Sequence, residues 1–180
     1  MSTVKANKIQ TLNGDTYNVP IQVVKTVLGD SLGTTSNDST QDQPAWIIST
    51  TTTTWTDTSN LQLTITPRFA NSLIKLELHI YAGTGAASKA AAIRIVRGTT
   101  VLWRPASNST GPFGLGYIGG SDGHSHHTLI TYDSPNTTSP VTYRLQYRTY
   151  NGGSVSNLFG WPAAGHYAPI NTFTAMEIAQ

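Results

Sequence analysis

Residues 92–103 constrain the fold of this chain more than any other part of the sequence. They read AIRIVRGTTVLW, and apolar and polar side chains alternate on both sides of the segment 97–100. A two-residue period places alternate side chains on one face of a β-strand, and glycine permits the chain reversal between two strands. The passage predicts a β-hairpin and disfavours helical and α/β enzyme folds.

Similar strand patterns recur along most of the chain. Further strands are predicted over 21–28, 46–55, 61–66, 73–81, 141–150 and 171–179. The run of threonines at 50–54 is included because β-branched side chains favour an extended backbone, and because the flanking Trp46, Ile47, Ile48 and Trp55 supply side chains to bury. Alternation within 141–150 predicts that Arg144, Gln146 and Arg148 face outward. The apolar residues predicted to face the core from 61–66, 73–81 and 141–150 are Leu61, Leu63, Ile65, Ile74, Leu76, Leu78, Ile80, Val141, Tyr143, Leu145 and Tyr147. Loops or turns are predicted over 29–44, 86–92, 105–126, 151–153 and 157–170.

These segments predict an all-β fold, an antiparallel two-sheet β-sandwich with jelly-roll connectivity. A closed up-and-down barrel is the alternative, but the long and uneven loops favour the sandwich. We expect one domain over 20–180, with 29–44 as an inserted loop, preceded by a short N-terminal arm over 1–19.

Composition narrows the class of protein. Only 11% of the 180 residues are charged, against about 25% in typical soluble domains. The net charge is +2 without a basic run, so nucleic-acid binding is not expected. Cysteine is absent, which excludes disulfides and thiolate zinc sites. The lack of cysteine fits assembly in a reducing cytoplasm. We also expect no membrane insertion and no signal peptide.

The predicted arm has too few apolar residues to form a core of its own. They are Val4, Ile9, Leu12 and Tyr17, separated by polar residues. We expect the arm to become ordered only against a partner or another copy of the chain.

Five passages in this order resemble the β-sandwich domains of tail-fibre and related virion proteins of tailed phages, above all those of cyanobacterial and marine phages. They are TWTDTSNLQLTITP (54–67), NSLIKL (71–76), RIVRGTTVL (94–102), DSPNTTS (133–139) and TAMEI (174–178). The resemblance covers about residues 20–180.

This resemblance implies a homotrimeric virion appendage, such as a short tail fibre, assembled in the host cytoplasm. Its β domain would meet the host surface, while the arm, through Val4, Ile9, Leu12 and Tyr17, would dock on other virion proteins. The alternative is a capsid or baseplate decoration protein with a purely structural role.

The sequence does not favour an enzyme. The acidic residues Asp122, Asp133 and Glu177 lie on separate segments, and Asp133 before Ser134-Pro135 is expected to cap a turn. Ser125 has histidine on both sides, but adjacent residues of an extended segment point to opposite faces.

Two histidines suggest a metal site. His124 and His126 are two residues apart, so in an extended segment their imidazoles emerge on the same side. This spacing resembles His-x-His sites at the tips of trimeric phage fibres, where a divalent transition metal lies on the threefold axis. The alternative is a glycine-rich solvent loop that happens to contain histidine; no other cofactor is expected.

Aromatic residues in the predicted loops are the candidates for contact with a host polysaccharide. Aromatic faces stack on sugar rings, and polar neighbours bind hydroxyl groups. The candidates are Trp103, Arg104, Tyr117, Trp161, His166 and Tyr167. A tryptophan of a β-sandwich can equally belong to the core or to a subunit interface. If the loops bind host glycans, 105–126 and 157–170 should lie at the end opposite the arm.

Overall fold

Ten β-strands make up most of the part of the chain that the structure describes. The structure is a computed structural model, and it describes residues 8–10, 16–18, 20–28, 51–83, 91–103, 124–149 and 171–180. The strands are β1 (Lys8–Gln10), β2 (Thr16–Asn18), β3 (Pro20–Leu28), β4 (Thr56–Ile65), β5 (Leu73–Gly83), β6 (Ala91–Arg97), β7 (Thr100–Trp103), β8 (His124–Asp133), β9 (Val141–Thr149) and β10 (Asn171–Ile178). These residues contain no helix.

Eight of the strands form two antiparallel four-stranded sheets, and their order is that of a jelly roll. The first sheet has the order β3-β10-β5-β8, and the second has the order β4-β9-β6-β7. The chain pairs from its outermost strands inwards: β3 with β10, β4 with β9, β5 with β8, and β6 with β7. The predicted β-sandwich and its connectivity are confirmed.

The hairpin predicted from residues 92–103 lies at the centre of this nested pairing. Arg97 is opposite Thr100, which leaves Gly98 and Thr99 as a two-residue turn. Gly98 has a φ of 57°, and a positive φ at the first central position is characteristic of a type II′ turn. Glycine adopts this conformation without steric cost, so the turn is encoded locally.

Alternating apolar side chains fill the space between the sheets. Every second residue of β10 is buried, from Asn171 through Phe173 and Ala175 to Glu177. The apolar residues predicted to face the core from β4, β5 and β9 are largely or fully buried, as expected. The buried members are Leu61, Leu63, Ile65, Ile74, Leu76, Leu78, Ile80, Val141, Tyr143 and Leu145.

The strand predicted over 46–55 is wrong where the structure describes it. Residues 51–55 lie outside any strand, and β4 begins only at Thr56. The threonine hydroxyls bind nearby backbone groups instead of leaving them to a ladder: the amide of Thr54 donates to Oγ1 of Thr52 at 3.2 Å, and Oγ1 of Thr56 donates to the carbonyl of Thr54 at 3.1 Å. Residues 46–50 lie outside the described residues.

Two predicted loops are shorter than expected. Ala91 and Ala92 already belong to β6, and residues 124–126 already belong to β8. The sequence analysis did not predict β8, because polar and histidine residues at its start obscure the alternation. The predicted segments 29–44, 151–153 and 157–170 lie outside the described residues.

The arm contains a strand pair that the sequence analysis did not predict. β1 and β2 are antiparallel, with Ile9 opposite Tyr17. The expectation that the arm becomes ordered only against a partner or another copy of the chain stays a prediction.

The strand directions give the sandwich two unlike ends. At one end, the short-connection end, the chain passes between strands through residues 66–72, 98–99 and 134–140. At the opposite end, the long-connection end, the chain leaves β3, β5, β7 and β9 and returns to β4, β6, β8 and β10. The arm joins β3 at Pro20, which is at the short-connection end.

A buried carboxylate at the short-connection end holds the crossing between the sheets. Glu177 is fully buried on the core side of β10. Its Oε1 accepts hydrogen bonds from the Ser72 hydroxyl at 2.6 Å and from the amides of Arg68 at 2.7 Å and Phe69 at 3.3 Å. Oε2 accepts from Nε2 of Gln22 at 2.7 Å.

Three of these donors belong to the connection between β4 in the second sheet and β5 in the first. Burial by itself raises the pKa of Glu177, but the hydrogen bonds from Ser72, Gln22 and the two amides outweigh it and lower the pKa below its usual value. The carboxylate is therefore ionised at neutral pH and fixes the path of this connection.

A second buried carboxylate, that of Asp133, joins the two sheets directly. Nη2 of Arg97 donates to Oδ1 at 3.2 Å, and Nε of Arg97 lies 2.7 Å from Oδ2. The Tyr143 hydroxyl donates to Oδ2 at 2.8 Å. Burial, and then the hydrogen bond to Asp133, raises the pKa of Tyr143, so the phenol remains a donor.

The expectation that Asp133 caps a turn is therefore wrong. The following turn is formed by Asn136, which has a φ of 53°, and by the hydroxyl of Thr137, which accepts from the amide of Ser139 at 3.0 Å. Asparagine adopts the left-handed conformation more readily than most residues, so this turn does not need the Asp133 side chain.

We expect Glu177→Gln to lower the free energy of unfolding by about 2–3 kcal/mol near neutral pH, because an amide accepts weaker hydrogen bonds and directs an NH₂ group towards other donors. The folded-state pKa of Glu177 lies below the unfolded value of 4.5, so its stabilising contribution is present above that value and is lost as the pH falls through the folded pKa. Urea unfolding from about pH 7 to about pH 3 should show that the variant loses this acid dependence.

Glu77→Gln is the matched control. The Glu77 side chain lies on the outer face of the neighbouring strand β5, is 30% exposed and pairs with Lys75 and His79. We expect a loss of less than about 1 kcal/mol. Equal losses for the two variants would contradict the role assigned to Glu177.

We expect Tyr143→Phe to lower the free energy of unfolding by about 1–2 kcal/mol, because the buried Asp133 loses a donor. Tyr147→Phe, on the same strand and the same face, should change it by less than about 0.5 kcal/mol. Urea unfolding at neutral pH measures both, and a neutral Tyr143→Phe substitution would show that the hydroxyl does not stabilise the contact between the sheets.

Candidate functional site

Of the residues predicted to bind a host glycan, the structure describes only Trp103. It is the last residue of β7, is partly buried and packs against the core. This is close to the core position that the sequence analysis kept as an alternative, and a contact of Trp103 with sugar stays a prediction. Arg104, Tyr117, Trp161, His166 and Tyr167 lie outside the described residues, and their role stays a prediction.

Of the four residues predicted to dock the arm on other virion proteins, the structure describes the backbone of two. Ile9 and Tyr17 occupy opposite positions in the β1–β2 pair. Val4 and Leu12 lie outside the described residues.

The histidines of the proposed metal site belong to β8, so the extended segment that the metal hypothesis requires is present. His126 is opposite Tyr81 on β5, and the centroids of the two rings are 4.9 Å apart at an interplanar angle of 54°. The backbone of His124 lies opposite Gly83. Within the described residues, no group of three or more His, Cys, Asp or Glu side chains is arranged to hold a metal ion.

His127 has a different environment from His126. It is adjacent in an extended strand and so points to the other face of the sheet. Burial lowers its pKa, with a smaller contribution from His126, while a hydrogen bond with the backbone of Ala82 acts in the opposite direction. His127 is therefore neutral near pH 7.

The outer face of the first sheet carries a chain of polar contacts across β5 and β8. Glu77 accepts from Nζ of Lys75 at 2.7 Å, and its other oxygen lies 2.6 Å from Nε2 of His79. Nδ1 of His79 lies 2.9 Å from the Thr128 hydroxyl. The hydrogen bonds from Lys75 and then His79 lower the pKa of Glu77, so this charge is already balanced within the sheet.

The outer face of the second sheet carries an aromatic and basic cluster, which we call the Trp55 patch. It consists of Trp55, Asp57, Arg94, Arg144, Gln146 and Arg148. The guanidinium carbon of Arg94 lies 4.5 Å from the centroid of the Trp55 ring, and that of Arg148 lies 4.8 Å from it. Both contacts are within the range of a cation–π interaction.

Hydrogen bonds connect the remaining side chains of the patch. Nε of Arg94 donates to Gln146 at 2.7 Å, and Gln146 donates to Oδ1 of Asp57 at 2.7 Å. Arg144 forms an ion pair with Oδ2 of Asp57 and donates to the carbonyl of Gly98 at 3.0 Å. The network spans β4, β6 and β9, so several side chains hold one another in place.

Sequence alternation predicts part of this patch but not its assembly. It correctly places Arg144, Gln146 and Arg148 on the outward face of β9. Trp55 was expected to be buried on a strand, whereas it lies just before β4 and covers arginines from two other strands. The pairing β4-β9-β6, which brings these residues together, is not visible in any local pattern.

Two of the acidic residues considered for catalysis have structural roles. Glu177 and Asp133 are buried and bind backbone and side-chain donors of the sandwich itself. Asp122 lies outside the described residues.

No protein-family model matches the sequence, and no curated protein matches it. No helix in the described part of the chain is long and apolar enough to cross a membrane.

The metal hypothesis predicts that the purified protein retains about one divalent transition-metal ion per three chains and that His126→Ala loses it. Mass spectrometry of metal content measures this directly. His79→Ala, which removes an exposed histidine from the neighbouring strand, should leave the content unchanged. A metal content no higher than background in the unmodified protein would contradict the hypothesis.

Proposed function

We propose that this protein is a non-enzymatic structural protein of a virion. It forms a trimeric short tail fibre or related appendage. Residues 1–19 attach this appendage to the virus particle. The long-connection end of the sandwich contacts polysaccharides of the host surface.

The separation of the two ends carries this proposal. The arm joins the sandwich at Pro20, at the short-connection end, whereas four connections leave from the opposite end. Trp103 is the last residue of β7, which ends at the long-connection end. Tyr117, Trp161, His166 and Tyr167 belong to connections of that end in the sequence. A protein that docks through one end and binds through the other needs this arrangement.

The jelly-roll order supports the proposal by analogy. Jelly rolls occur repeatedly in viral capsid and lectin domains, although a fold does not fix a function. The absence of cysteine and the low charged fraction are also compatible with a β-rich shell or fibre assembled inside a cell.

Exposed apolar residues on the outer face of the first sheet support contact between copies. Val23 on β3 is 55% exposed, and Ile130 and Tyr132 on β8 are 48% and 54% exposed. Val23 and Tyr132 lie in the same cross-strand row, with Met176 and Lys75 between them. Burial of such residues between protomers would remove apolar surface from water.

We expect a variant that lacks residues 1–19 to fold, to remain trimeric and to bind host cells, but to be absent from purified particles. The arm joins the sandwich at the end opposite the connections proposed to contact the host, so attachment and host contact should be separable. Sedimentation, cell binding and immunodetection on particles measure the three properties.

The full-length protein is the control for each measurement. Its absence from particles would contradict the virion assignment, and a monomer would contradict the trimer. Presence on particles without any binding to host cells would instead identify a decoration protein with a purely structural role.

A further inference from the structure

We propose that the Trp55 patch binds the carboxylate or sulfate groups of an acidic polysaccharide. The proposal rests on the glycan contact proposed above, and it adds the chemical class of the glycan and a second place of contact, on the side of the sandwich.

Arg148 is the central residue of this inference. Its guanidinium lies over the Trp55 ring. Its Nε is buried, and within the described residues it has no hydrogen-bond partner. Arg148 also forms no ion pair with any carboxylate of the described residues. The ring holds the planar cation in one orientation. The terminal nitrogens of Arg148 form no hydrogen bond with the described residues, so they are the donors left for an external acceptor.

The charge of the patch favours an anionic ligand. Its side chains include three arginines and one aspartate, an excess of two positive charges. Asp57 is already bound to Arg144 and Gln146. A carboxylate or sulfate that binds Arg148 therefore meets a positive field, and guanidinium groups bind such oxyanions with two parallel hydrogen bonds.

The spacing of the arginines fits a polymer with repeated anionic groups. Arg144 and Arg148 lie on the same face of β9, four residues apart, which corresponds to about 13 Å along an extended strand. Arg94 is opposite Gln146, midway between them on the neighbouring strand. Anionic groups on successive units of one chain can therefore contact more than one of these positions.

A polysaccharide fits this surface better than a globular protein does. Protein interfaces usually have an apolar centre surrounded by polar residues. Among the described residues, the exposed large apolar side chains Val23, Phe69, Ile130 and Tyr132 lie off the second sheet, and Val101 lies on its edge strand β7. The Trp55 ring already holds two guanidiniums, which makes it a support for charge more than a platform for nucleic-acid bases.

Binding of the full chain to alginate, dextran sulfate and uncharged dextran tests the proposal at low salt. The unmodified protein should bind the two acidic polymers and not dextran, and added salt should weaken this binding. Arg148→Gln should weaken binding to both acidic polymers about tenfold or more, the effect of losing a charge-assisted pair.

Arg68→Gln is the matched control, because it removes the same charge from an exposed residue of the short-connection end. We expect it to bind as the unmodified protein does. Arg148→Lys keeps the charge but loses the planar pair of donors, and should bind several-fold more weakly; it also serves if Arg148→Gln does not fold.

Three results would overturn the proposal: no binding to either acidic polymer, equal losses for Arg148→Gln and Arg68→Gln, or tighter binding to polyadenylate RNA than to alginate at equal concentrations of charge. These results are independent of the particle experiment. A protein that is absent from particles can still bind alginate through Arg148. A protein that is present on particles but binds neither acidic polymer would retain only the proposed glycan contact through its long connections.

Discussion

Two buried carboxylates fix how the sheets of this sandwich lie against each other. Glu177 and Asp133 flank Ile74 in one cross-strand row of the first sheet, at the short-connection end. A buried anion is strongly destabilising unless donors surround it. Most of those donors come from the second sheet or from the connection that crosses to it, so an arrangement that separates the sheets here leaves charge without partners. The apolar core favours burial in general, whereas these contacts select one alignment.

This constraint also explains the unequal ends of the molecule. Short connections surround the two carboxylates, and the chain has little freedom there. The opposite end is anchored by the same eight strands but not by this row of buried charge. It can carry connections of different length without changing the pairing of the sheets, which makes it the part of the fold best suited to variation.

Local patterns predicted the parts of the fold that depend on local physics. Alternation gave most of the core, and Gly98 gave the turn of the central hairpin, from which the pairs of a jelly roll follow outwards. The prediction failed where side chains compete with the backbone: the hydroxyls at Thr52 and Thr56 bind nearby backbone groups, and residues 51–55 form no strand. Asp133 was interpreted from its neighbours in sequence, but its partners lie on other strands. The Trp55 patch was missed for the same reason, because Trp55, Arg94 and Arg148 are brought together only by the order of the strands in the sheet.

The pairing of β3 with β10 places the first and last residues of the sandwich side by side. Pro20 lies opposite Ile178, and Nδ2 of Asn71 donates to the carbonyl of Gln180 at 3.4 Å. A short linker from Gln180 to Pro20 would therefore give a circular permutant that keeps both sheets intact. For the same reason, a fluorescent protein fused after Gln180 would emerge close to Pro20, where the arm joins the sandwich, and away from the long-connection end.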